Sequence, residues 1–482
     1  LQNFQTWHSR SSLLALAVII IAVSLAYINV LYGQFIWDDI YLVRDNAFIK
    51  NFHDVGKIFS GPLASGAGVM TNTYRPLQSL SYVFDYALSG VNTFQYHLTN
   101  IVLHILVSWL LFILMRALCR SFEVAFIAAL IFSVHPVNTE AVSYIAGRGD
   151  LISGVFIYLT LISSINDNPG KKGALDILSG ILYICALLSR EYALVTPLLL
   201  LLCYRYRGLP IFTRRMLIIF IITACYVTLR MTALDFSQYL PAVRREGFSG
   251  WPARLPGAFA AIAHYARMLV FPQALHMEYG ANLKIPGLEV LSGIAVSAAF
   301  SLIAFLAYKK RPVITFGILW FFIAIFPVSN IYRINAFMAE HWLYVPSAGL
   351  FMAVSYAAVN FAARSARRTI FSVTAAAIIF TALILATASQ NIYWTNPVIF
   401  FERTLRLSPG NYRISVLLGN QYVKRGLYSE GERLYKEAIK LNPGDPGAYK
   451  GLGNLYMAIG EKEKALRSFE RALYVSPEDA EI

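Results

Sequence analysis

Long apolar runs separated by short polar connections occupy the first 390 positions of the chain. A helix crossing a bilayer takes about 20 predominantly apolar residues. Eleven runs approach that length: 12–32, 97–115, 122–137, 151–166, 174–189, 191–204, 216–232, 288–307, 312–328, 343–361 and 369–388. The core of the first exceeds that of a secretion signal and no good cleavage site follows, so it is expected to remain as an anchor. The fifth and sixth nearly touch at Ser189-Arg190-Glu191. Two connections are long, 33–96 and 233–287. Within the first, Leu77, Leu80, Phe84 and Leu88 recur at helical spacing, which predicts an interfacial helix over 77–88. Residues 257–271 predict another such helix, or a re-entrant piece.

After about residue 391 the pattern changes from apolar runs to amphipathic helices that repeat. "LSPGN" at 407, "LNPGD" at 441 and "VSPED" at 475 return with a period of 34. Gly419 aligns with Gly453, Tyr422 with Tyr456, Gly426 with Gly460 and Ala438 with Ala472. A 34-residue helix–turn–helix unit with small packing residues and a closing proline is the tetratricopeptide signature. Two units are fewer than a free-standing solenoid needs. The expected architecture is therefore all-α: a polytopic bundle of about 11 transmembrane helices over 1–390, then a short tetratricopeptide-repeat (TPR) α-solenoid over 391–482.

Composition agrees with the membrane assignment. The chain is 57% hydrophobic and only 14% charged, against about 25% charged in soluble domains. Its net charge of +14 would suggest nucleic acid in a soluble protein. Here the basic residues cluster in alternate connections, at Arg116/Arg120, Lys171/Lys172, Arg205/Arg207/Arg214/Arg215, Lys309/Lys310/Arg311 and Arg364/Arg367/Arg368. With eleven crossings and the N-terminus inside, all five clusters face the cytoplasm, and nucleic acid is not an expected partner. Both long connections and the repeats then lie outside. The cysteines at 119, 185, 203 and 225 fall in apolar runs or at their basic ends, which supports neither disulfides nor a cysteine metal site.

Ionisable residues beside membrane spans are costly and are functional candidates by default. Most of them fall on the expected outer side. Asp38-Asp39, in "QFIWDDIYLVRDN", is an adjacent acid pair in which one carboxyl is raised by its neighbour and by partial burial, a setting for a general base. "HPVNTEAVSYIAGRGD" brings His135, Glu140, Arg148 and Asp150 into one turn. Glu140 and Arg148 are placed to pair, and Asp150 to cap the next helix. Gly147 and Gly149 leave room for a bulky anion beside Arg148, whose fork suits phosphate oxygens. Arg190 and Glu191 either neutralise each other or place Arg190 over the same cavity. Arg75 leads the 77–88 helix, and Arg333, Glu340, His341 and Tyr344 offer further phosphate or sugar contacts. His97, Asn100, His104 and Ser108 form one polar stripe on the second run, which argues that this face looks into a cavity. No tight His/Asp/Glu cluster supports a metal.

These phrases resemble the transmembrane and tetratricopeptide-repeat O-mannosyltransferases, a branch of the polytopic GT-C glycosyltransferases. The matching stretches are "FIWDD", "YRPLQSLSYVFDYALSGVNTFQYHLTNIVLHI", "FSVHPVNTEAVSYIAGRGDLI", "SREYALVTP" and "MAEHWLYVPSAGL". The family often has Lys-Glu in place of Arg190-Glu191, which keeps the charge, and Arg-Tyr in place of His341-Trp342, which alters a phosphate contact. The tail is shorter than the repeat arrays of animal relatives, pointing to a bacterial homologue and an inner-membrane location. The resemblance implies a polyprenyl-phosphate-linked hexose donor, mannose foremost, and inverting transfer without a cofactor to Ser/Thr hydroxyls of an extracytoplasmic polypeptide guided by the repeats. It further implies that Asp38, or Asp39 as the close alternative, is the base. Chemically the leaving lipid phosphate needs positive charge, for which Arg148 and Arg190 are the foremost candidates. A lipid or polysaccharide acceptor, or a membrane assembly platform without activity, are the competing expectations.

Overall fold

The computed structural model describes residues 10–166, 172–236, 251–279, 287–329, 331, 334 and 336–477. Arg333, and residues 237–250 and 280–286 of the second long connection, lie outside the described residues. The chain divides into two compact units, 1–275 with 285–392, and 276–284 with 393–482. Residues 276–279, read from the sequence as part of an outer connection, thus belong with the repeats.

Helices carry both units. The first runs through α1 (Arg10–Tyr27), α2 (Val55–Ser60), α3 (Pro76–Ser89), α4 (Thr93–Cys119), α5 (Phe122–Val134), α6 (Thr139–Ser143) and α7 (Arg148–Ile165). It continues with α8 (Lys172–Leu187), α9 (Thr196–Arg207), α10 (Arg214–Arg230), α11 (Trp251–Val270), α12 (Gly287–Ala307), α13 (Pro312–Ile325), α14 (Ser347–Ala362) and α15 (Ala366–Asn391). Local chemistry sets several boundaries. Asn92 and Ser121 cap α4 and α5 by accepting from the backbone N–H of Phe94 and Val124, and Pro136 stops α5 because it has no N–H to continue the ladder.

About eleven crossings were expected, and the structure corrects that number. Among the described residues five helices are long and apolar enough to cross a membrane: Arg10–Val30, Thr93–Cys119, Ile145–Ile165, Gly287–Ala307 and Ala366–Trp394. A sixth is added if Phe122–Val134 and Pro136–Ser143, bent by 55°, form one span. The sequence overcounted because an apolar run need not be one uninterrupted helix. The run 191–204 opens with a 3₁₀ turn over Glu191–Val195 and leaves only the 12 residues of α9. The run 312–328 supplies the 14 residues of α13 before another tight turn. At 1.5 Å per residue, 14 residues reach about 21 Å, short of a hydrocarbon core of about 30 Å. The charge alternation that oriented the chain required all eleven crossings, so it no longer fixes the side of either terminus.

The spanning helices differ in what surrounds them. The Ile145–Ile165 window is 89% buried, whereas the Ala366–Trp394 window is 0% buried, which puts α7 at the centre and α15 at the periphery of the first unit. Centrality explains why α7 carries polar residues that lipid would penalise. Gly317 on α13 and Gly349 on α14 let two backbones meet, since a Cβ on Gly317 would stand 2.2 Å from the Gly349 carbonyl oxygen. Gly317→Ala is expected to cost about 1–3 kcal/mol by forcing these helices apart. A thermal melt in detergent equal to that of the parent would contradict this.

The α3 helix forms where the 77–88 pattern places one, but its buried face is the polar one. Gln78, Ser79, Tyr82 and Asp85 are buried, while Phe84 and Leu88 are exposed. An apolar face turned outward suits lipid, and the inward polar face contributes to the site below.

The second unit contains α16 (Pro397–Leu407), α17 (Tyr412–Lys424), α18 (Tyr428–Leu441), α19 (Pro446–Ala458) and α20 (Lys462–Val475). The 34-residue register reappears as geometry. Gly426 and Gly460 turn the chain at φ +78° and +83°. Gly419 and Gly453 lie against the rings of Tyr435 and Phe469, where a Cβ would approach to 2.8 and 2.5 Å.

Candidate active site

The acid pair sits on a tight turn that follows α1, and the two carboxyls have different surroundings. Asp39 is buried. Its Oδ2 accepts from the Ile36 backbone N–H at 3.0 Å and its Oδ1 from the Ala146 N–H at 2.8 Å. Burial pushes its carboxyl well above the usual carboxylate range and the charge of Asp38 adds to this, against the two backbone donors. Asp38 is only partly buried, and its backbone N–H donates to the Tyr144 hydroxyl at 2.9 Å. Asp39 therefore fastens the 36–39 turn to the segment leading into α7, and Asp38 rides on that turn.

The clamp forces Trp37 into the left-handed region at φ +51°. An L-residue with a side chain pays roughly 1–2 kcal/mol there, and glycine does not. Trp37→Gly and Trp37→Ala lose the same ring, so the glycine variant should be the more stable by about 1 kcal/mol. Equal melting temperatures would show that the turn carries no strain.

Ion pairs expected between sequence neighbours are replaced by pairs across the fold. Glu140 does not pair with Arg148. It holds His341, through Nδ1 at 2.6 Å and the backbone N–H at 3.0 Å. Arg190 and Glu191 do not neutralise each other: Arg190 meets Asp150 at 2.8 Å, and Glu191 takes Arg75 Nε at 2.9 Å and the Tyr74 N–H at 3.1 Å. Burial opposes the charge of Glu191, but the Arg75 guanidinium, aided by Arg190, holds its carboxyl below the ordinary value. Asp150 is not a helix cap either. It is the third residue of α7, and Gly147 occupies the capping position.

Arg148 has no opening to a ligand. It is fully buried, with Nη1 at 2.5 Å from Asp85, Nε donating to Asn100 Oδ1 at 2.8 Å and Nη2 donating to the Tyr96 carbonyl at 2.8 Å. Its guanidinium also lies 4.7 Å from the Tyr82 ring centroid. The glycines beside it admit protein instead of a bulky anion. A Cβ on Gly147 would meet the carbonyls of Glu140 and Ala141 at 2.7 Å, and one on Gly149 would meet Gln78 Oε1 at 2.5 Å.

The polar stripe of α4 faces this packed interior. Asn100 donates to the carbonyls of Val142 and Tyr144, both at 3.1 Å. His104 bridges the Tyr344 hydroxyl at 2.8 Å and the Ser133 carbonyl at 3.1 Å. His135 accepts from the Val137 N–H and meets the Leu269 carbonyl at 3.2 Å, a packing role. His97 is buried beside the Gly33 backbone, and the ionic partner of Asp150 is Arg190. Tyr226 Oη and Gln78 Oε1 are buried without a hydrogen bond among the described residues, and Tyr226 lies within the fields of Glu191 and Arg75. Buried polar atoms are normally satisfied, so these two oxygens, one by Glu191 and Arg75 and the other by Gly149, mark ground where a polar ligand would complete the bonding. Glu340 is also buried, at the 3₁₀ turn that carries His341. Asp85, Gln78, Tyr144 and Tyr226 escaped notice in the sequence, although Asp85, Gln78 and Tyr144 lie inside the phrases that carried the resemblance.

Among the described residues no group of three or more His, Cys, Asp or Glu is arranged to hold a metal ion. The site offers carboxylates, two partly accessible arginines and aromatic rings, a set suited to proton transfer and to stabilising an anion.

A tetratricopeptide-repeat family model matches residues 422–482. In sequence the chain is 26% identical over 438 residues to the protein O-mannosyl-transferase F38B6.6 of Caenorhabditis elegans, covering 88% of this chain and 62% of that protein. It is 24% identical over 449 residues to protein O-mannosyl-transferase TMTC3 of Mus musculus, covering 82% and 48%. The chain thus spans less than two thirds of these relatives' length. Their animal origin gives the expectation of a bacterial source no support. Among solved structures, the Archaeoglobus fulgidus oligosaccharyltransferase aligns with 89% of this chain and 59% of its own at a TM-score of 0.47 and 13% identity. ArnT from Cupriavidus metallidurans bound to undecaprenyl phosphate aligns with 95% and 77% at 0.42 and 14%. By sequence, the chain is similar over most of its length to proteins named protein O-mannosyl-transferases.

Proposed function

We propose that this chain is a membrane glycosyltransferase that moves a hexose, mannose foremost, from a polyprenyl-phosphate carrier to a Ser/Thr hydroxyl of a polypeptide on the outer side of the membrane. The observation that carries the reading is the division of labour in the acid pair. Asp39 spends both oxygens on backbone N–H groups, and Asp38 stands partly exposed on the turn so fixed. Asp38 accepts the proton of the attacking hydroxyl. The new bond forms at the anomeric carbon as the bond to the phosphate oxygen breaks, and that oxygen leaves with the electron pair. Inversion follows from the single displacement. No general acid is needed, because the leaving group is already a stable anion.

Arg75 and Arg190 hold the phosphate in this scheme. Their side chains are 19% and 9% exposed, against 0% for Arg148, so of these three arginines they are the two with an edge to offer a ligand. Their acidic partners Glu191 and Asp150 keep both guanidinium groups in place before the donor arrives, which is preorganised electrostatic stabilisation. The repeats guide the polypeptide acceptor.

The deciding experiment incubates the purified chain with synthetic polyprenyl-phosphate mannose, polyprenyl-phosphate glucose and a Ser/Thr-rich peptide, and reads products by mass spectrometry. The expected result is a peptide heavier by one hexose, with mannose preferred. Sugar on an extracted lipid or polysaccharide, with none on peptide, would replace the acceptor. No transfer from any donor would defeat the reading.

A further inference from the structure

At the end of α9 and α10 remote from Asp38, the chain reverses through residues 208–213. This end is fixed by α7, whose C-terminal carbonyl at Ser163 accepts from Arg215 at 3.1 Å, whereas Arg148 at its other end adjoins the acid-pair segment. The turn is well tied at both sides. Leu209 N–H donates to the Tyr204 carbonyl at 2.9 Å, and Thr213 Oγ1 caps α10 by accepting from the Met216 N–H at 3.2 Å. Its outer residues are nonetheless apolar and uncovered: Phe212 is 100% exposed, and Pro210 and Ile211 are exposed beside it. An aromatic ring held open on an ordered turn is costly in water and favourable at a bilayer interface.

Charge surrounds this tip. Arg205 and Arg214 are exposed, and neither makes an ion pair among the described residues. The neighbouring acid, Asp176, is committed to Arg215 at 2.8 Å. Arg207 stands close enough to Arg120 to be repelled by it. Arg205 and Phe212 line one shallow recess of about 440 Å³ together with Gly208, Leu209, Pro210 and Ile211. Leu198 on α9 and Leu217 and Phe220 on α10 are also exposed. The Arg205 guanidinium on an apolar recess, with exposed Arg214 two residues beyond Phe212 in the chain, is complementary to a ligand with an anionic head and an aliphatic body.

We propose that the 208–213 turn binds one anionic phospholipid, its phosphate between Arg205 and Arg214 and its acyl chains against Ile211, Phe212 and the flanks of α9 and α10. The site is independent of the sugar-transfer reading. Its test equilibrates the full chain in detergent with equal amounts of phosphatidylglycerol and phosphatidylcholine and counts retained lipids by native mass spectrometry. The parent should retain phosphatidylglycerol in preference. Arg205→Gln/Arg214→Gln should lower that retention on the order of 30-fold, and Phe212→Ser several-fold, with melting temperatures unchanged in both. Equal retention of the two lipids, or undiminished retention by the double variant, would overturn the proposal. So would full retention by Phe212→Ser combined with displacement by inorganic phosphate, which would mark a phosphate site without lipid character. A dimer peak lost in Phe212→Ser would assign the turn to a second copy of the chain instead.

Discussion

Asp38→Asn should lower sugar transfer by roughly 10²–10⁴-fold, the usual contribution of a positioned general base, and leave the melting temperature close to that of the parent. The substitution keeps the size of the side chain and removes its ability to take a proton. Asp39→Asn should behave differently. An amide cannot accept at both positions, so one of the two backbone donors, at Ile36 or Ala146, loses its partner. That costs about 1–3 kcal/mol of stability and loosens the turn that carries Asp38. The pair thus separates a base from its support: rate without stability at one position, stability with part of the rate at the other. Transfer undiminished in Asp38→Asn would remove the base assignment, and a rate-only effect in Asp39→Asn would exchange the two roles.

The second large effect is expected at Arg148. Removing one partner of a buried ion pair typically costs 3–5 kcal/mol, because the other charge is left unpaired. Arg148→Ala would strand Asp85, whose carboxylate keeps, among the described residues, only its hydrogen bond from Thr99 at 2.7 Å, and would also release Asn100 and the Tyr96 carbonyl. Arg148→Ala should fail to accumulate as folded protein. Arg148→Met combined with Asp85→Leu, which removes both charges, should recover much of the loss. If Arg148→Ala instead accumulated normally and only lost donor binding, the arginine would be a phosphate ligand after all, as its fork and flanking glycines suggest from the sequence.

Arg148 shows why side-chain roles were only partly legible. Its guanidinium and its glycine neighbours are the right chemistry for a phosphate, and nothing within ten residues discloses Asp85, which is brought to it by α3 packing on α4 and α7. The pairs Glu140–His341 and Arg75–Glu191 are separated by 201 and 116 residues. Sequence adjacency pointed to other partners because a turn of chain gives proximity without direction. Glycine was misread for the same reason: a missing Cβ tells of close approach, but not of what approaches.

By itself the sequence determined what is periodic or compositional. Apolar runs with few charges dictate membrane helices, since lipid cannot hydrogen-bond an open backbone. The 34-residue recurrence dictates the helix pairs over 412–475, since each repeat must bury the same small residues against the same rings. The acid pair was visible because adjacent charges beside a span demand an explanation. Tertiary structure alone decided how many runs are continuous helices long enough to cross, because a proline or a tight turn shortens a helix without lowering its hydropathy. It also decided which acid is anchored and which is presented, and which arginines keep an accessible edge, since burial and hydrogen-bond geometry depend on residues far away in the chain. The charge excess was a property of the whole sequence; which of its charges are enclosed in pairs, such as Arg148–Asp85 and Arg215–Asp176, and which stay exposed, such as Arg205 and Arg364, belongs to the fold.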